Sequence, residues 1–540
     1  MDQVQGKMQK GSKKRASAPS FVSPSQLVLS GFETPFSQKL IRTDRWVILG
    51  ERLPWDGLCN VYTRQAGLSH TGRPPISPRV VIGSLIIKHM CNLDDRETVA
   101  QIAENMYMQY FLGYSSFHPE PPFDASLFVG FRPRMGLEQI GAINERVYAL
   151  YQSMMSDKGA GPAAGKKSDG GENHTDTGPE PCAGRPDGDR AEGGQQAAEA
   201  VTHKGRVLLD ATACPQDIAY PTDLGLLSES REKAEGLIDE IYDRALHDRK
   251  PRTYRKAARK EFLKIAQKKD KSKAAIRKGV GKQLRYLERD LRSIGQLLDK
   301  YDRFPLNPRQ QKYLMVVHTL CQQQRKMFDD NKHTVEDRIV SIHQPHVRPI
   351  VRGKAAAKVE FGAKVHVSLV DGYAFLDELG WDAFNEGSHM MQYVQKYRQR
   401  FGHYPQEILA DQIYCTRENR KILKEKGIKL LAKPLGRPPA VKKGHVRPGE
   451  RNPIEGKFGQ GKTAYGPDNI KARLKDTSGS WIACIFLVLN LVKLAGAAPY
   501  CLIVKILNKC FSATGQLLTV SQLQTNAVII RPTSFLKCKL

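Results

Sequence analysis

The sequence predicts an α/β fold in which helices cover both faces of a mixed β-sheet, preceded by an all-α region. Three observations support this prediction. After about residue 205, short apolar runs with strand character alternate with segments of helical periodicity. Before residue 155 the periodicity is helical, and a segment of low complexity separates the two parts.

The composition narrows the function before any motif is considered. The 540 residues include 84 Lys and Arg against 56 Asp and Glu, a formal net charge of +28. Such an excess indicates a polyanionic partner, of which nucleic acid is the commonest. The ten cysteines contain no C-x-x-C pair, which argues against a zinc site and a disulfide framework. We therefore expect a soluble, reduced, intracellular protein.

The N-terminal part divides into a tail and a helical domain. Residues 1–35 are polar and basic without the apolar stretch of a signal peptide, and we expect a flexible basic tail. Residues 36–155 predict a helical domain that binds DNA. Within it, PRVVIGSLIIKHM and RETVAQIAENM predict two helices joined by the turn CNLDD. From pattern alone, the pair fits a helix-turn-helix and an ordinary helical bundle equally well.

A segment of unusual composition follows the helical domain. Residues 156–204 are rich in Gly, Ala, Pro and charge, and they contain hardly any large apolar side chain. Because such a segment buries too little apolar surface to offset its ordering entropy, we expect a disordered linker.

Five strands are predicted within a second domain, residues 205–500. They are the apolar run at 207–209, the alternating segment 363–369, and the segments YAFLDEL, EILA and IKLLAK. In the second strand, Lys364, His366 and Ser368 alternate with apolar residues, which predicts a half-buried strand. Helical periodicity between the first two strands predicts a helical insertion at about 224–345.

The predicted insertion is strongly basic. Residues 249–289 contain 17 Lys and Arg against three Asp and Glu, which is half of the net charge of the chain. A solvated helix face normally mixes the two signs, so we predict contact with a phosphate backbone. The candidate DNA-binding residues are Arg252, Arg255, Lys256, Arg259 and Lys260.

The longest apolar stretch is WIACIFLVLNLVKLAGAAPYCLIVKIL. It contains Asn490, Lys493, Pro499 and Lys505, whereas a spanning helix needs about 20 apolar residues with few charges. We therefore predict a buried helix and a following segment, with no membrane contact. Residues 501–540 are treated as a C-terminal extension.

Two predicted strands end in a carboxylate, at Asp210 and at Asp411. Functional groups collect at strand ends in α/β folds, and carboxylates brought together need a bridging cation or a proton. Oxygen ligands without Cys or His favour magnesium or manganese. A third carboxylate would complete a site for two divalent ions, and Glu455 is our candidate.

The spacing of acidic residues leaves alternatives open. A turn-forming Asp after a strand needs no function, and Asp217, Asp223 and Asp371 compete for the same role. Glu455 could instead close a capping box with Asn452 at the N-cap.

The segment RNPIEGKFGQGKTAYG, residues 451–466, has an unusually high glycine content for a surface helix. Each of Gly456, Gly459 and Gly461 costs a helix about 1 kcal/mol relative to Ala. We infer that something approaches this backbone closely. Glu455 and Lys462 are close to two helical turns apart and are expected to share a face.

Three blocks of this sequence, in this order, resemble the bacterial insertion-sequence DDE transposases, most closely the groups named after insertion sequences four and five. The blocks are LLDATACPQDIAYPTDLGLL, ILADQIYCTRENRKIL and the pattern R-x-x-x-E-x-x-x-x-x-x-K from Arg451 to Lys462. The helical segment that contains PRVVIGSLIIKHM also resembles their N-terminal domain. The resemblance implies an RNase H-like catalytic domain with the helical insertion after its first strand.

Carried over to this chain, the resemblance implies a catalytic and metal-binding triad of Asp210, Asp411 and Glu455. The ion would be Mg²⁺, for which Mn²⁺ could substitute. Arg451 and Lys462, together with the flanking cation Lys457, would contact DNA beside the triad.

The implied function is DNA transposition. The protein would bind terminal inverted repeats, cleave the ends and transfer the 3′-OH strands to target DNA by two-metal-ion chemistry. We expect a homodimer in the bacterial cytoplasm, associated with the nucleoid. Two alternatives remain: an RNase H-like nuclease without strand transfer, and a transposase that has lost catalysis and acts only as a DNA-binding protein.

Overall fold

The computed structural model describes residues 40–66, 75–159, 202–351, 359–433, 449–467 and 469–514. Side chains are described up to residue 156 in the first part of the chain and up to residue 496 in the second. The predicted tail, nearly all of the predicted linker and most of the C-terminal extension lie outside the described residues.

The structure has the predicted α/β architecture, with a helical N-terminal region that precedes a mixed sheet. The helices of the N-terminal region are α1 (Arg45–Arg52), α2 (Trp55–Ala66), α3 (Pro78–Met90), α4 (Asp95–Glu104), α5 (Met106–Leu112), α6 (Phe128–Arg134) and α7 (Leu137–Gly159). The four helices that follow the first strand are α8 (Asp223–Ile241), α9 (Arg255–Ala266), α10 (Lys273–Leu298) and α11 (Pro308–Asp329). The helices of the C-terminal part are α12 (Met390–Phe401), α13 (Arg417–Glu425), α14 (Asn452–Ala464) and α15 (Lys475–Thr514).

Six strands form one mixed sheet. They are β1 (Arg206–Pro215), β2 (Arg348–Val351), β3 (Val359–Val370), β4 (Tyr373–Gly380), β5 (Glu407–Leu409) and β6 (Lys429–Leu431). β1 lies in the centre, antiparallel to β3 on one side and parallel to β5 on the other, and β6 extends the parallel side. Both β2 and β4 pair antiparallel with β3. All five predicted strands are present, and the short strand β2 was not predicted.

The prediction that β3 is half-buried was wrong. From Ala363 to Val370 only Lys364 is partly exposed, and His366 and Ser368 are buried. The reason is that β3 has partner strands on both sides and its apolar side chains belong to the main hydrophobic core. His366 is accommodated because its Nδ1 lies 3.1 Å from Oδ2 of Asp377, a buried residue of β4.

α15 joins the N-terminal helices to the sheet. On its largely buried segment 482–494, Asn490 donates from Nδ2 to Oδ1 of Asn144 on α7 at 2.8 Å and to the carbonyl of Ala374 on β4 at 2.7 Å. The side chains of both regions belong to one hydrophobic core. The N-terminal helices predicted as a domain therefore share their core with the sheet.

The apolar stretch predicted to be a buried helix lies in α15. Among the described residues, one helical segment, Lys475–Gly496, is long and apolar enough to cross a membrane, and 78% of its most apolar window is buried against the rest of the protein. The core helix of a soluble protein has the same properties. The helix continues to Thr514 without a break, so the following segment that we predicted is part of it.

The packing of the N-terminal helices favours a helical bundle over a helix-turn-helix. α3 is buried along its length from Arg79 to Met90, because it packs against α2, α5 and α15. The exposed surface of α4 includes Glu97 and Glu104 alongside Arg96. A buried first helix and a second helix with acidic exposed residues do not suit contact with phosphates.

The four helices α8 to α11 pack around a second hydrophobic core, separate from that of the sheet. This core also holds ionisable groups. Arg231 on α8 is 1% exposed and forms an ion pair with Glu235 one turn later. Nearby, burial raises the pKa of Asp290 on α10 to about 7, although the adjacent Arg289 opposes the shift. The basic segment therefore lies on a packed helical unit with its own core.

Candidate active site

Asp210 lies in the middle of β1. We expected the strand to end there, but it continues to Pro215, because residues 212–214 are buried within the sheet. The Asp210 side chain is 20% exposed. Its Oδ1 accepts a hydrogen bond from the backbone N–H of Ala211 at 2.9 Å. A carboxylate therefore emerges from the central strand of the sheet.

Asp411 comes directly after β5, as predicted from the apolar run EILA. In the parallel pairing of β1 with β5, Leu208 lies opposite Leu409. Asp210 and Asp411 each follow two residues later, on adjacent segments of the sheet. Asp411 begins a short 3₁₀ turn, Gln412–Tyr414, and its Oδ1 accepts from the backbone N–H of Gln412 at 2.6 Å. The register of the sheet thus places the two carboxylates side by side.

α14 supplies the third predicted carboxylate. Asn452 is already inside the helix, the residue at the N-cap is Arg451, and no side chain caps the helix there. The capping-box interpretation of Glu455 is therefore wrong. Glu455 is exposed in the first turn of α14, which packs against β1.

Arg451 forms ion pairs with both aspartates. Its Nη2 lies 3.1 Å from Oδ2 of Asp210, and its Nη1 lies 3.3 Å from Oδ1 of Asp411. The guanidinium therefore lies between the carboxylates of β1 and of the turn after β5. The Nε of Arg451 is buried and has no hydrogen-bond partner in the part of the chain that the structure describes.

The electrostatics of Asp210 connect all three carboxylates. Burial raises the pKa of Asp210, while Arg451 and the N–H of Ala211 lower it. Asp411 and Glu455 both raise it further, since each disfavours a second negative charge nearby. The three predicted carboxylates thus lie near enough to influence one another's charge. Within the described residues, Arg451 bridges two of them, Asp210 and Asp411.

Family profiles match two segments of this chain. One, described as "Transposase domain (DUF772)", matches residues 35–134, and the other, described as "Transposase DDE domain", matches residues 408–492. The second segment contains Asp411, Arg451 and Glu455. The two matches together support an insertion-sequence DDE transposase.

One curated protein similar to this chain is "Uncharacterized protein ORF8 in nfe locus" from Rhizobium meliloti. It is 40% identical over 65 residues, which are 12% of this chain and 31% of that protein. The match thus spans about a third of the length of the relative. No solved structure matches this chain.

DDE transposases usually work with a divalent metal ion, and the donor set suits one. Three carboxylates and no Cys or His form a hard-oxygen environment of the kind that Mg²⁺ and Mn²⁺ prefer. Over the described ranges, however, no three carboxylate, His or Cys side chains are grouped closely enough to hold an ion. The donors fit a divalent ion in chemistry, while the cation that Asp210 and Asp411 contact in this structure is the guanidinium of Arg451.

Two lysines of α14 were predicted to contact DNA, and the structure separates them. Lys457 is buried, and its Nζ donates to the carbonyl of Leu489 on α15 at 3.1 Å. Burial, with a smaller effect from Lys493, lowers the pKa of Lys457 to about 8. Lys457 therefore packs α14 against α15 and is unavailable for DNA, whereas Lys462 in the last turn is partly exposed.

The basic residues predicted on the helical segment also differ from one another. Lys256, Arg259 and Lys260 are exposed on α9. Arg255 instead pairs with Asp239 of α8 through two contacts, at 2.9 and 3.0 Å, so its charge is already matched within the protein.

Arg252 is exposed, and its guanidinium lies 4.4 Å from the centre of the Tyr254 ring. The guanidinium of Arg289 lies 4.2 Å from the same ring. Tyr254 has a positive φ of 52° and is 41% exposed. The predicted DNA-binding residue Arg252 thus belongs to a surface group of two cations and one aromatic ring.

Two of the three competing carboxylates have structural partners away from the candidate site. The Oδ1 of Asp223 accepts from Arg338 at 2.8 Å and from Gln324 at 3.0 Å. The Oδ2 of Asp371, in the turn between β3 and β4, accepts from the hydroxyl of Tyr148 at 2.7 Å. Asp217 is exposed beyond the end of β1. The arrangement favours Asp210, Asp411 and Glu455 over these three.

A buried polar cluster behind the sheet was missed. His366 stacks on Tyr393 of α12 with ring centres 3.4 Å apart, and its partner Asp377 also binds Arg400. Burial alone would raise the pKa of Asp377, but Arg400 and His366 hold it below its usual value. The alternation that we took for a solvated face was the available signal, because a His inside a strand can point to a buried partner as well as to water.

The glycines of α14 give a prediction that separates stability from function. A Cβ added at Gly456 or at Gly459 would meet no atom within 4 Å, so packing does not require glycine there. The double variant Gly456→Ala/Gly459→Ala should therefore raise the stability of the isolated transposase, by about 1 kcal/mol per site. It should also weaken DNA binding, because the added methyl groups stand where we expect a strand to approach.

Thermal unfolding and a gel-shift titration on the same samples measure both effects. Gly461→Ala is the matched control, because a Cβ there would make an ordinary contact of 3.5 Å with Leu489 inside the protein. Stabilisation with unchanged DNA affinity in the double variant would contradict the proposed approach of DNA to α14.

Proposed function

We propose that this protein is the transposase of its own insertion element. It binds the terminal inverted repeats, cleaves the ends by hydrolysis and joins the freed 3′-OH strands to target DNA. The observation that carries the proposal is that Arg451 pairs with both Asp210 and Asp411, while Glu455 lies near enough to raise the pKa of Asp210. The match of residues 408–492 to a transposase DDE domain supports it. The resemblance to the groups of insertion sequences four and five is part of the proposal.

The proposed catalytic domain is RNase H-like. The central position of β1, with antiparallel strands on one side and parallel strands on the other, supports this fold. Four helices with a separate core lie between β1 and β2 along the chain, which supports an insertion after the first strand. The N-terminal helices, which we propose also bind DNA, share one hydrophobic core with the catalytic sheet because they pack on α15.

In the proposed mechanism, Asp210, Asp411 and Glu455 hold the divalent ions, Mg²⁺ or in its place Mn²⁺. When bound, the ions supply an activated hydroxyl and neutralise the charge of the leaving oxygen. Arg451 and Lys462 hold phosphate oxygens beside the triad, and the open face of α14 at Gly456 and Gly459 admits the strand.

The exposed cations Arg252, Lys256, Arg259 and Lys260 would hold the DNA backbone at a distance from the triad. Because two ends must be joined together, we propose a homodimer. The net charge and the DNA substrate suit the bacterial cytoplasm and the nucleoid, without a role for a membrane.

A strand-transfer assay tests this function. The substrates are a pre-cleaved duplex with the inverted repeat that brackets the reading frame and a plasmid target, incubated with the full-length protein and Mg²⁺. We expect joined products. Cleavage of uncut ends without any joined species would favour the nuclease, and binding without either reaction would favour the DNA-binding protein.

A further inference from the structure

Arg451 has a feature that contact with DNA does not explain. Its guanidinium spans the carboxylates of Asp210 and Asp411, at 3.1 and 3.3 Å, in the place where a cation shared by these carboxylates would lie. These two contacts are ion pairs, in which two carboxylates attract one guanidinium at the same time. A divalent ion that binds the same oxygens must displace this guanidinium.

The same contacts leave Arg451 incompletely satisfied. Its Nε is buried without a hydrogen-bond partner among the described residues, and an unpaired buried donor is unfavourable by about 1–3 kcal/mol. A phosphate group could accept from the whole edge of the guanidinium, Nε included. The side chain therefore has two competing sets of anions, its own aspartates and the phosphates of DNA.

Arg451 can exchange its aspartates for a phosphate by moving its side chain alone, because the start of α14 is held in place by other contacts. Glu450, the residue before Arg451, pairs with Arg206 at the start of β1, and Arg206 also pairs with Glu407 of β5. These contacts hold the backbone at the start of α14 against the sheet, while the Arg451 side chain is 21% exposed. Redirection of this side chain towards a phosphate needs no movement of the helix.

We infer that Arg451 is an internal counterion that holds the carboxylates in the absence of DNA and gives them up to the metal when a phosphate binds it. The inference rests on the proposed metal-dependent function. It makes Arg451 a positioning residue that couples two binding events, and thermodynamic linkage requires the coupling to be reciprocal. DNA then raises the affinity for the ion, and the ion raises the affinity for DNA. Premature loading of the active carboxylates is thereby disfavoured.

Titration with Mn²⁺ tests the coupling without any turnover. Free Mn²⁺ is followed by its electron paramagnetic resonance signal for the full-length protein, with and without a mixed-sequence DNA duplex. We expect Arg451→Gln to bind Mn²⁺ on the order of tenfold more tightly than the wild type when DNA is absent, in the usual range of coupling between sites. DNA should tighten binding in the wild type and leave Arg451→Gln nearly unchanged.

Two further variants make the outcome unambiguous. Arg96→Gln removes the same charge from the exposed surface of α4 and should match the wild type. Asp210→Asn in the Arg451→Gln background should abolish the gained binding, which assigns the ion to this site. Equal Mn²⁺ affinity in the wild type and in Arg451→Gln, with binding still lost on Asp210→Asn, overturns the counterion role alone. Binding that Asp210→Asn does not affect in any background sinks the proposed metal site together with it.

Discussion

Asp210→Asn should reduce cleavage of DNA ends in Mg²⁺ by at least about a hundredfold, the scale on which removal of one group that stabilises a transition state acts. The amide keeps the shape of the side chain but removes the charge that a divalent ion requires. The fold should persist, because the acceptor for the Ala211 N–H remains available at this partly exposed position. DNA affinity should not fall, since the change removes a negative charge beside the proposed phosphate contacts.

End cleavage and gel shift on the same preparation measure the two properties. Asp217→Asn is the matched control, because Asp217 is an exposed carboxylate beyond the end of β1 that competed for the same role in the sequence. We expect it to cleave like the wild type. Full cleavage by Asp210→Asn, or loss of cleavage in Asp217→Asn instead, would show that the acidic residues were assigned wrongly.

The affinity for a mixed-sequence duplex should fall by several powers of ten as salt is raised, because each phosphate that is neutralised contributes about −0.9 to the slope of log affinity against log salt. The double variant Arg259→Gln/Lys260→Gln removes two exposed cations of α9. It should reduce the magnitude of that slope by about 2. The loss should be similar for all sequences, since phosphate contacts carry no base information.

Arg255→Gln provides an internal comparison on the same helix. Its guanidinium already pairs with Asp239, and Asp239 retains Lys250 at 2.8 Å when Arg255 is replaced. We therefore expect its salt dependence to match the wild type. Fluorescence anisotropy at a series of salt concentrations gives the three slopes. An unchanged slope in the double variant would remove α9 from the proposed DNA contact surface.

The sequence predicted most of the fold because the elements have strong local patterns. The apolar run of β1 and the helical periodicity of α3 and α4 depend on neighbouring residues. The short strand β2 was not predicted, since Arg348–Val351 has no alternation and its position depends on pairing with β3. His366 was predicted on a solvated face because the alternation of polar and apolar residues in a strand does not show which distant residues will cover it.

In the candidate site, too, local features were predicted from the sequence and contacts between distant residues were not. Asp411 was located from the strand that precedes it, and its partnership with Asp210 follows from a sheet register that no local pattern contains. Lys457 was taken for a DNA contact because it lies next to Glu455, yet helical geometry turns it towards Leu489. Arg451 lies more than two hundred positions after Asp210, so only the folded chain shows that it bridges this residue and Asp411.

The central claim is that Asp210, Asp411 and Glu455 serve one divalent ion site. Localised cleavage by bound iron tests it most directly: Fe²⁺ replaces Mg²⁺ in the DNA-bound protein, ascorbate and peroxide are added, and the polypeptide is cut wherever it lies beside the ion. The account predicts three cuts, near residues 210, 411 and 455, all lost in Asp210→Asn. Cuts at other positions, or cuts that persist in that variant, would contradict it.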